Sequence, residues 1–285
     1  MKPHSNTLLL TGLPRAGTTL SCNILNSHAN VLALMEPMTP GHFEPLKGRP
    51  AAVKLIQQFA TQTRLQALTQ GEVLSRQKDG VVPENPVSYE VSSSGLRQPD
   101  TVLGSISVGR QIENADFTLV IKHNALFTAL LPELSEAFPV YGIIRNPLSV
   151  LASWNSVALP VNDGHVPAGE MYSHELADLL ADTPGRIERQ LHILEWFCQK
   201  FLSEIPNHIL RYEDFVIDPA CIGRTLNLSS PYKGSVQTRT SRNDAYDLVL
   251  MEQLYRRLMR FGDAIWEFYS RDQITELMES IREAA

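Results

Sequence analysis

Residues 8–20, LLLTGLPRAGTTL, decide the fold that this sequence predicts. The stretch opens with an uninterrupted apolar run, which is typical of a strand buried on both faces of a parallel sheet. The run breaks at Gly12 and Pro14 and then resumes as a helix. A strand, a tight loop and a helix N-terminus form an anion cradle, because backbone N–H groups and the helix dipole point into one concavity.

The loop from Gly12 to Thr19 has the spacing of a Walker A phosphate-binding loop. Thr18 stands where that loop has its phosphate-reaching lysine, and a cation instead lies inside the loop at Arg15. An ordinary strand-to-helix turn uses Gly and Thr for backbone geometry and capping. Such a turn has no structural need for the arginine, so we expect this loop to bind an anion.

This loop resembles the 5′-phosphosulfate loop of the sulfotransferases, which use 3′-phosphoadenosine 5′-phosphosulfate (PAPS) as donor. The residues that carry the resemblance are Pro14, Arg15, Ala16, Gly17, Thr18 and Thr19. The resemblance implies that Arg15, the backbone N–H groups of residues 16–19 and the two threonine hydroxyls hold the phosphosulfate. It also implies PAPS as the donor and a reaction that needs no metal.

Residues 141–147, YGIIRNP, with Ser153 further on, resemble the 3′-phosphate signature of the same family. The resemblance implies that Arg145 and Ser153 hold the 3′-phosphate of the nucleotide. An arginine offers a planar, permanently charged fork to phosphate oxygens, and a hydroxyl from the following helix faces the same anion. The alternative is an arginine paired with a carboxylate and a serine hydrogen-bonded within its own helix.

A third resemblance lies at residues 211–214, RYED, followed by Pro219. It implies that Tyr212 lies against the adenine, for which an aromatic face with a phenolic hydroxyl is suited. The alternative is a tyrosine half-buried at a strand end. Arg239 and Arg242 are loosely similar to the cationic loop that covers the 3′-phosphate in many family members, and a solvated polar loop is the alternative there.

Sulfuryl transfer needs a base for the acceptor proton and cations where charge develops on the leaving phosphate. The resemblance to carbohydrate and protein-tyrosine sulfotransferases implies Glu36 as that base, with an ion pair to Arg15 or Lys122 as the alternative. In the small-molecule branch of the family, a strand instead ends in Lys-Thr-His, and that histidine is the base. Here the strand ends in Lys122-His123-Asn124, so His123 stands one place early and side-chain alternation turns it to the other face. We expect Lys122 to support the sulfuryl group.

Apolar strand-like runs alternate with helix-like segments along the chain, near residues 30–34, 117–121, 140–144 and 208–212. This alternation predicts an α/β fold: a three-layer, doubly wound, mostly parallel sheet, P-loop-like, with helices on both faces. Strand-end residues then meet in one crevice with Arg15: Glu36, Lys122, Arg145 and Tyr212.

We expect residues 1–285 to form one sulfotransferase domain. Apolar spacing predicts helices over about 51–76 and two closing helices within 244–285. Segments 38–105 and 157–185 are expected to shape the acceptor site, the first irregular or weakly β where it is rich in proline and the second containing a mobile loop.

Composition excludes several classes of partner. The net charge is −6 and no basic run occurs, which argues against nucleic acid and anionic membranes. Three scattered cysteines predict a reducing compartment, and no apolar run approaches the roughly 18 residues of a membrane span, so we expect a cytoplasmic protein. The acceptor stays open between a small molecule, sugar, lipid or peptide, and a homo-oligomer is possible.

Two other functions remain in competition. A P-loop phosphotransferase using ATP and Mg²⁺ would need Glu213-Asp214 as its Walker B pair, but it would lack the lysine at position 18. A homologue that binds the nucleotide without turnover is the second alternative. The predicted function is sulfuryl transfer from PAPS to a hydroxyl or amine, with release of adenosine 3′,5′-bisphosphate.

Overall fold

A computed structural model of the protein describes residues 6–109, 112, 114–232, 234 and 247–284. In chain order its strands are β1 (Thr7–Gly12), β2 (Val31–Met35), β3 (Glu72–Gln77), β4 (Val87–Val91), β5 (Arg97–Pro99), β6 (Val102–Ser107), β7 (Thr118–Lys122), β8 (Val140–Ile144) and β9 (Ile209–Arg211). Its α-helices are α1 (Thr18–Leu25), α2 (Arg49–Thr69), α3 (Ala125–Ala129), α4 (Leu131–Ala137), α5 (Pro147–Trp154), α6 (Pro167–Glu170), α7 (His174–Asp182), α8 (Arg186–Glu204), α9 (Tyr212–Ile217), α10 (Ala220–Thr225), α11 (Leu248–Leu258) and α12 (Arg271–Ala284).

Five strands form an all-parallel central sheet in the order β2-β7-β1-β8-β9. Strand β1 lies at its centre, and every one of its residues is buried, as the apolar run predicts. The register places Leu10 beside Lys122 and Gly12 beside Ile143, so neighbouring strands end at one edge. Ligand sites of such sheets lie beyond this carboxyl edge.

Helices cover both faces of the central sheet. The connection from β1 to β2 runs one way across the sheet, and the connections to β7, β8 and β9 run the other way. Since parallel crossovers are right-handed, α1 lies on the opposite face from the helices of the later crossovers. Helices α2, α4 and α8 pack together on that second face, and α1 contacts α10. The predicted three-layer α/β fold is confirmed.

The segment between β2 and β7 holds two antiparallel strand pairs, β3 with β6 and β4 with β5. The prediction of helix up to residue 76 is wrong for the last part, because β3 begins at Glu72. Its buried residues alternate, Val73 and Ser75, as strand burial requires. Ser75 Oγ accepts the Met35 N–H at 3.0 Å, which fastens β3 to the edge strand β2.

The predicted mobile loop within 157–185 is mostly helical. A 3₁₀ helix begins at Pro160 and α6 begins at Pro167, because proline fits the first turn of a helix where no N–H is needed. Ser173 caps α7 by accepting the Leu176 N–H. The prolines read as loop signals therefore start short helices.

The closing helices differ from the prediction in one respect. After α11, a left-handed Gly262 (φ 68°) and a 3₁₀ helix at Ala264–Glu267 interrupt the expected helix before α12. Residues 244–246 of the predicted helix lie outside the described residues. Across the described part of the chain, no helix combines the length and apolar character that crossing a bilayer requires.

Candidate functional site

A cavity of about 950 Å³ opens at the carboxyl edge of the central sheet. It is lined by residues from every motif singled out in the described sequence: Pro14, Arg15, Gly17, Thr18, Thr19, Glu36, Lys122, His123, Arg145, Ser153 and Tyr212. The expected meeting of the strand-end residues with Arg15 in one crevice is thus observed. Arg239 and Arg242 lie outside the described residues.

The loop between β1 and α1 is built to leave backbone donors at the cavity. Gly17 is left-handed (φ 87°) and carries no capping side chain, so the N–H groups of the first turn of α1 keep no side-chain cap. Ala16 differs from its expected role. Its N–H donates to the Leu13 carbonyl at 3.0 Å and its side chain is fully buried, so Ala16 shapes the loop without lining the cavity.

Arg15 joins the first motif to the second. Its Nε donates to Ser153 Oγ at 3.2 Å, and its second guanidinium nitrogen donates to Asn85 Oδ1 at 3.1 Å. The two motifs, predicted separately, therefore share a hydrogen bond. Asn85 was missed by the sequence analysis, because nothing in the proline-rich segment around it marks a binding residue.

Arg145 stacks on Tyr212 beside the loop. Its guanidinium carbon lies 4.4 Å from the Tyr212 ring centroid, and one terminal nitrogen donates to the Arg15 carbonyl at 3.2 Å. The Arg145 Nε is buried and has no hydrogen-bond partner among the described residues. Within that part of the chain, Arg145 contacts a carbonyl and an aromatic face and is not paired with a carboxylate.

Two further contacts hold this part of the site. Trp154 Nε1 donates to the Pro14 carbonyl at 2.7 Å, which ties α5 to the loop. Glu213 accepts the Asn146 N–H at 2.9 Å and the Tyr269 hydroxyl at 2.8 Å. The carboxylate that a phosphotransferase would use for Mg²⁺ thus braces the start of α5, and it does not line the cavity.

Glu36 forms an ion pair with Lys122 at the end of β2. Lys122 Nζ lies 2.7 Å from Glu36 Oε1, and Arg76 Nε lies 3.8 Å from the other carboxylate oxygen. Burial alone would raise the pKa of Glu36, but the charges of Lys122, His123 and Arg76 more than offset it and lower this pKa to about 2. Glu36 is therefore ionised, and Arg76 is a second cation that the sequence analysis missed.

His123 lines the same cavity as Lys122, against the expectation from side-chain alternation. The reason is that β7 ends at Lys122, so His123 has left the pleat. Burial, together with the positive charges of Lys122 and Arg76, lowers the pKa of His123 to about 3 despite the nearby Glu36. Its Nε2 accepts the Met38 N–H at 3.4 Å, so the neutral ring carries its proton on Nδ1.

Backbone strain marks two of these residues. Among the described non-glycine residues with positive φ, three are Asn or Asp, for which this conformation is common. The other two are Arg15 (φ 70°) and Glu36 (φ 42°), and both line the cavity. Such strain tends to persist at functional sites, where surrounding contacts hold it in place.

Arg97, on the β4–β5 pair, is a further cation at the cavity that the sequence analysis missed. It donates to Ser156 Oγ at 2.7 Å, one turn beyond Ser153, while its Nε is buried without a hydrogen-bond partner. The backbone of Arg97 also pairs with residues 156–158. The β4–β5 pair, expected at the acceptor, thus also touches the segment that follows Ser153.

Comparison with models of protein families and with curated proteins gives no match for this chain. The geometry of the cavity therefore carries the functional argument.

Proposed function

We propose that the protein is a PAPS-dependent sulfotransferase that moves a sulfuryl group to a hydroxyl or amine acceptor. The observation that carries this proposal is the hydrogen bond from Arg15 Nε to Ser153 Oγ. It brings together a loop suited to a 5′-phosphosulfate and a residue pair suited to a 3′-phosphate, as a nucleotide with both anions requires. The unpaired cysteines, Cys22, Cys198 and Cys221, favour a cytoplasmic setting.

Several features fit the donor nucleotide. The first turn of α1 offers backbone N–H groups and the positive end of its dipole to the phosphosulfate. A side chain at Gly17 would collide with the ring of Tyr212, so the bare backbone there lets the tyrosine approach the loop. Arg145 contacts both that ring and the Arg15 carbonyl of the loop, and there it would hold the 3′-phosphate.

Side chains of the cavity then take separate parts in the transfer reaction. When PAPS is bound, an acceptor oxygen bonds to sulfur, the bond from sulfur to the phosphate oxygen breaks, and one proton is released. Glu36 takes that proton, and His123 is the alternative base. Lys122 neutralises charge on the sulfuryl oxygens during the transfer.

A nucleotide-binding protein without turnover is the second candidate, and the Glu36–Lys122 ion pair favours it. A carboxylate whose pKa is about 2 is a weak base. Sulfuryl transfer therefore requires that Lys122 turn from Glu36 toward the donor. That change would raise the pKa of Glu36 when the proton has to be accepted.

Calorimetry without metal tests the proposal. We expect adenosine 3′,5′-bisphosphate to bind tightly and ATP with Mg²⁺ to bind weakly. Arg145→Ala should weaken bisphosphate binding about 10- to 100-fold, the value of a hydrogen bond to a charged group, and change 5′-AMP binding far less. Preference for ATP with Mg²⁺ would replace this proposal by the phosphotransferase, and equal loss of both nucleotides would remove Arg145 from the 3′ site.

A further inference from the structure

We propose that the acceptor is an uncharged, largely apolar alcohol or phenol with one reacting hydroxyl. This inference rests on the proposed sulfotransferase function and narrows its substrate class. The cavity has about 950 Å³, at the upper end of the roughly 300–1,000 Å³ typical of ligand pockets. It therefore has space for an acceptor beside the nucleotide.

The part of the cavity beyond the reacting groups is bounded by three segments. Met38 follows Glu36 closely, and its N–H reaches the ring of His123. Helix α3 begins two residues after that histidine, at Ala125, and it packs on α6. Asn124, between them, is a polar residue of the lining, and its Oδ1 is buried without a hydrogen-bond partner among the described residues. Gly169 of α6 lies so close to Ala125 that an added Cβ would be 3.0 Å from the Ala125 Cβ. These contacts form a continuous wall that starts at the proposed base.

The part of this wall that segments 38–43 and 159–171 form is mainly apolar. Within segments 38–43 and 159–171, both fully described, every lining residue is apolar except Thr39 and His165. His165 already contacts a carboxylate oxygen of Glu170, 3.2 Å from its Nδ1. Apolar lining residues of these two segments and of α3 include Met38, Phe43, Leu126, Val166, Ala168 and Met171.

The composition of the wall discriminates between acceptors. A sugar would bring several hydroxyls against carbon atoms, and each buried hydroxyl without a partner is penalised. A charged peptide would lose its hydration without gaining a counter-charge from these two segments. An apolar ring or chain gains from burial there and leaves its single hydroxyl at Glu36 and His123.

The test compares three acceptors on the 285-residue chain: 2-naphthol, glucose and an acetylated Lys-Tyr-Lys peptide. Turnover is measured with labelled PAPS, 2-naphthol binding by its fluorescence, and nucleotide binding by calorimetry with adenosine 3′,5′-bisphosphate. We expect kcat/KM for 2-naphthol to exceed the other two at least about tenfold, the cost of one unpaired hydroxyl.

Two variants test whether the apolar wall binds the acceptor. Met171 and Ala168 are half-buried in the wall, so Met171→Asp and Ala168→Asp should each weaken 2-naphthol binding at least about tenfold and leave bisphosphate binding unchanged. Val249→Asp, at a strongly exposed position on α11, is the matched control and should change neither.

The outcomes distinguish an error in the acceptor class from an error in the proposed sulfotransferase function. If bisphosphate binds but glucose or the peptide is sulfated and 2-naphthol is not, the inference is overturned and the sulfotransferase function stands. Binding of 2-naphthol that both wall variants leave unchanged also overturns the inference. If bisphosphate does not bind, the proposed function fails and the inference fails with it.

Discussion

Lys122 Nζ lies 2.7 Å from Oε1 of Glu36, in a pair that joins the ends of β7 and β2. The lysine side chain is only 2% exposed, whereas the carboxylate borders the cavity. Removing Glu36 would leave the buried charge of Lys122 without this partner, so the two groups are coupled. An anionic sulfuryl group at Lys122 would compete with Glu36 for the same cation. Donor binding and the basicity of the proposed base are thereby linked.

Glu36→Gln should reduce turnover of PAPS about 100-fold or more, the usual contribution of a general base. Glutamine keeps the size and a hydrogen bond to Lys122 but accepts no proton. Bisphosphate binding, measured by calorimetry, should persist, since Glu36 faces the reacting group. Glu72→Gln, at an exposed carboxylate of β3, is the control and should retain wild-type rates. Full activity of the Glu36 variant would assign the base elsewhere, with His123 next.

Lys122→Met should reduce turnover about 10²- to 10³-fold, as loss of a preorganised charge donor does. The variant should still bind adenosine 3′,5′-bisphosphate, because that product carries no sulfuryl group. The pKa of Glu36, followed by carbon-13 NMR, should rise from about 2, because burial raises it and the strongest opposing charge is gone. Equal loss of bisphosphate binding and turnover would instead place Lys122 at a nucleotide phosphate.

Local sequence predicts the strand, loop and helix of residues 8–20 well because these parts are contiguous. An apolar run, a glycine and a helix start lie within residues 8–20, and no distant contact is needed to recognise them. The gathering of Glu36, Lys122 and Arg145 was also predictable, because parallel strands end at one edge of a sheet. Their roles in chemistry stay predictions.

Other features depend on contacts between distant segments. Strand β3 pairs with β6, and its helix-like apolar spacing gives no sign of that partner. Asn85 reaches Arg15, and Arg97 reaches Ser156, because the β4–β5 pair docks on residues 156–158. His123 faces the cavity because β7 stops one residue earlier, which alternation along a strand cannot reveal.

The buried His123 should make the protein sensitive to acid. Burial lowers the pKa of His123 to about 3, below the ordinary 6.5. Below pH 6.5 this histidine is therefore protonated in the unfolded chain but stays neutral in the folded state. Its contribution to stability is full above pH 6.5 and is lost as the pH falls toward 3. The slope is at most about 1.4 kcal/mol per pH unit.

Urea unfolding between pH 7.5 and 5 measures this effect. His123→Gln should lose less free energy of unfolding over that range than the wild type, since glutamine takes up no proton. His192, whose pKa is also lowered by burial, contributes equally to both proteins and cancels. His174→Gln, at an exposed position of α7, should follow the wild-type curve. Parallel curves for wild type and His123→Gln would contradict the buried neutral histidine.

Gly17 provides the sharpest test of the loop, because Gly71 is a matched control. Both are left-handed (φ 87° and 70°), so alanine at either position costs about 1–2 kcal/mol of backbone strain. A Cβ at Gly71 meets nothing within 4 Å, whereas at Gly17 it would overlap the Tyr212 ring, with Cε2 at 2.9 Å. Gly17→Ala should therefore also displace Tyr212 and weaken adenosine 3′,5′-bisphosphate binding about tenfold or more, as loss of a stacked base does. Gly71→Ala should lower the melting temperature alone. If the two variants lose nucleotide affinity equally, the close approach of Tyr212 to the loop has no part in binding.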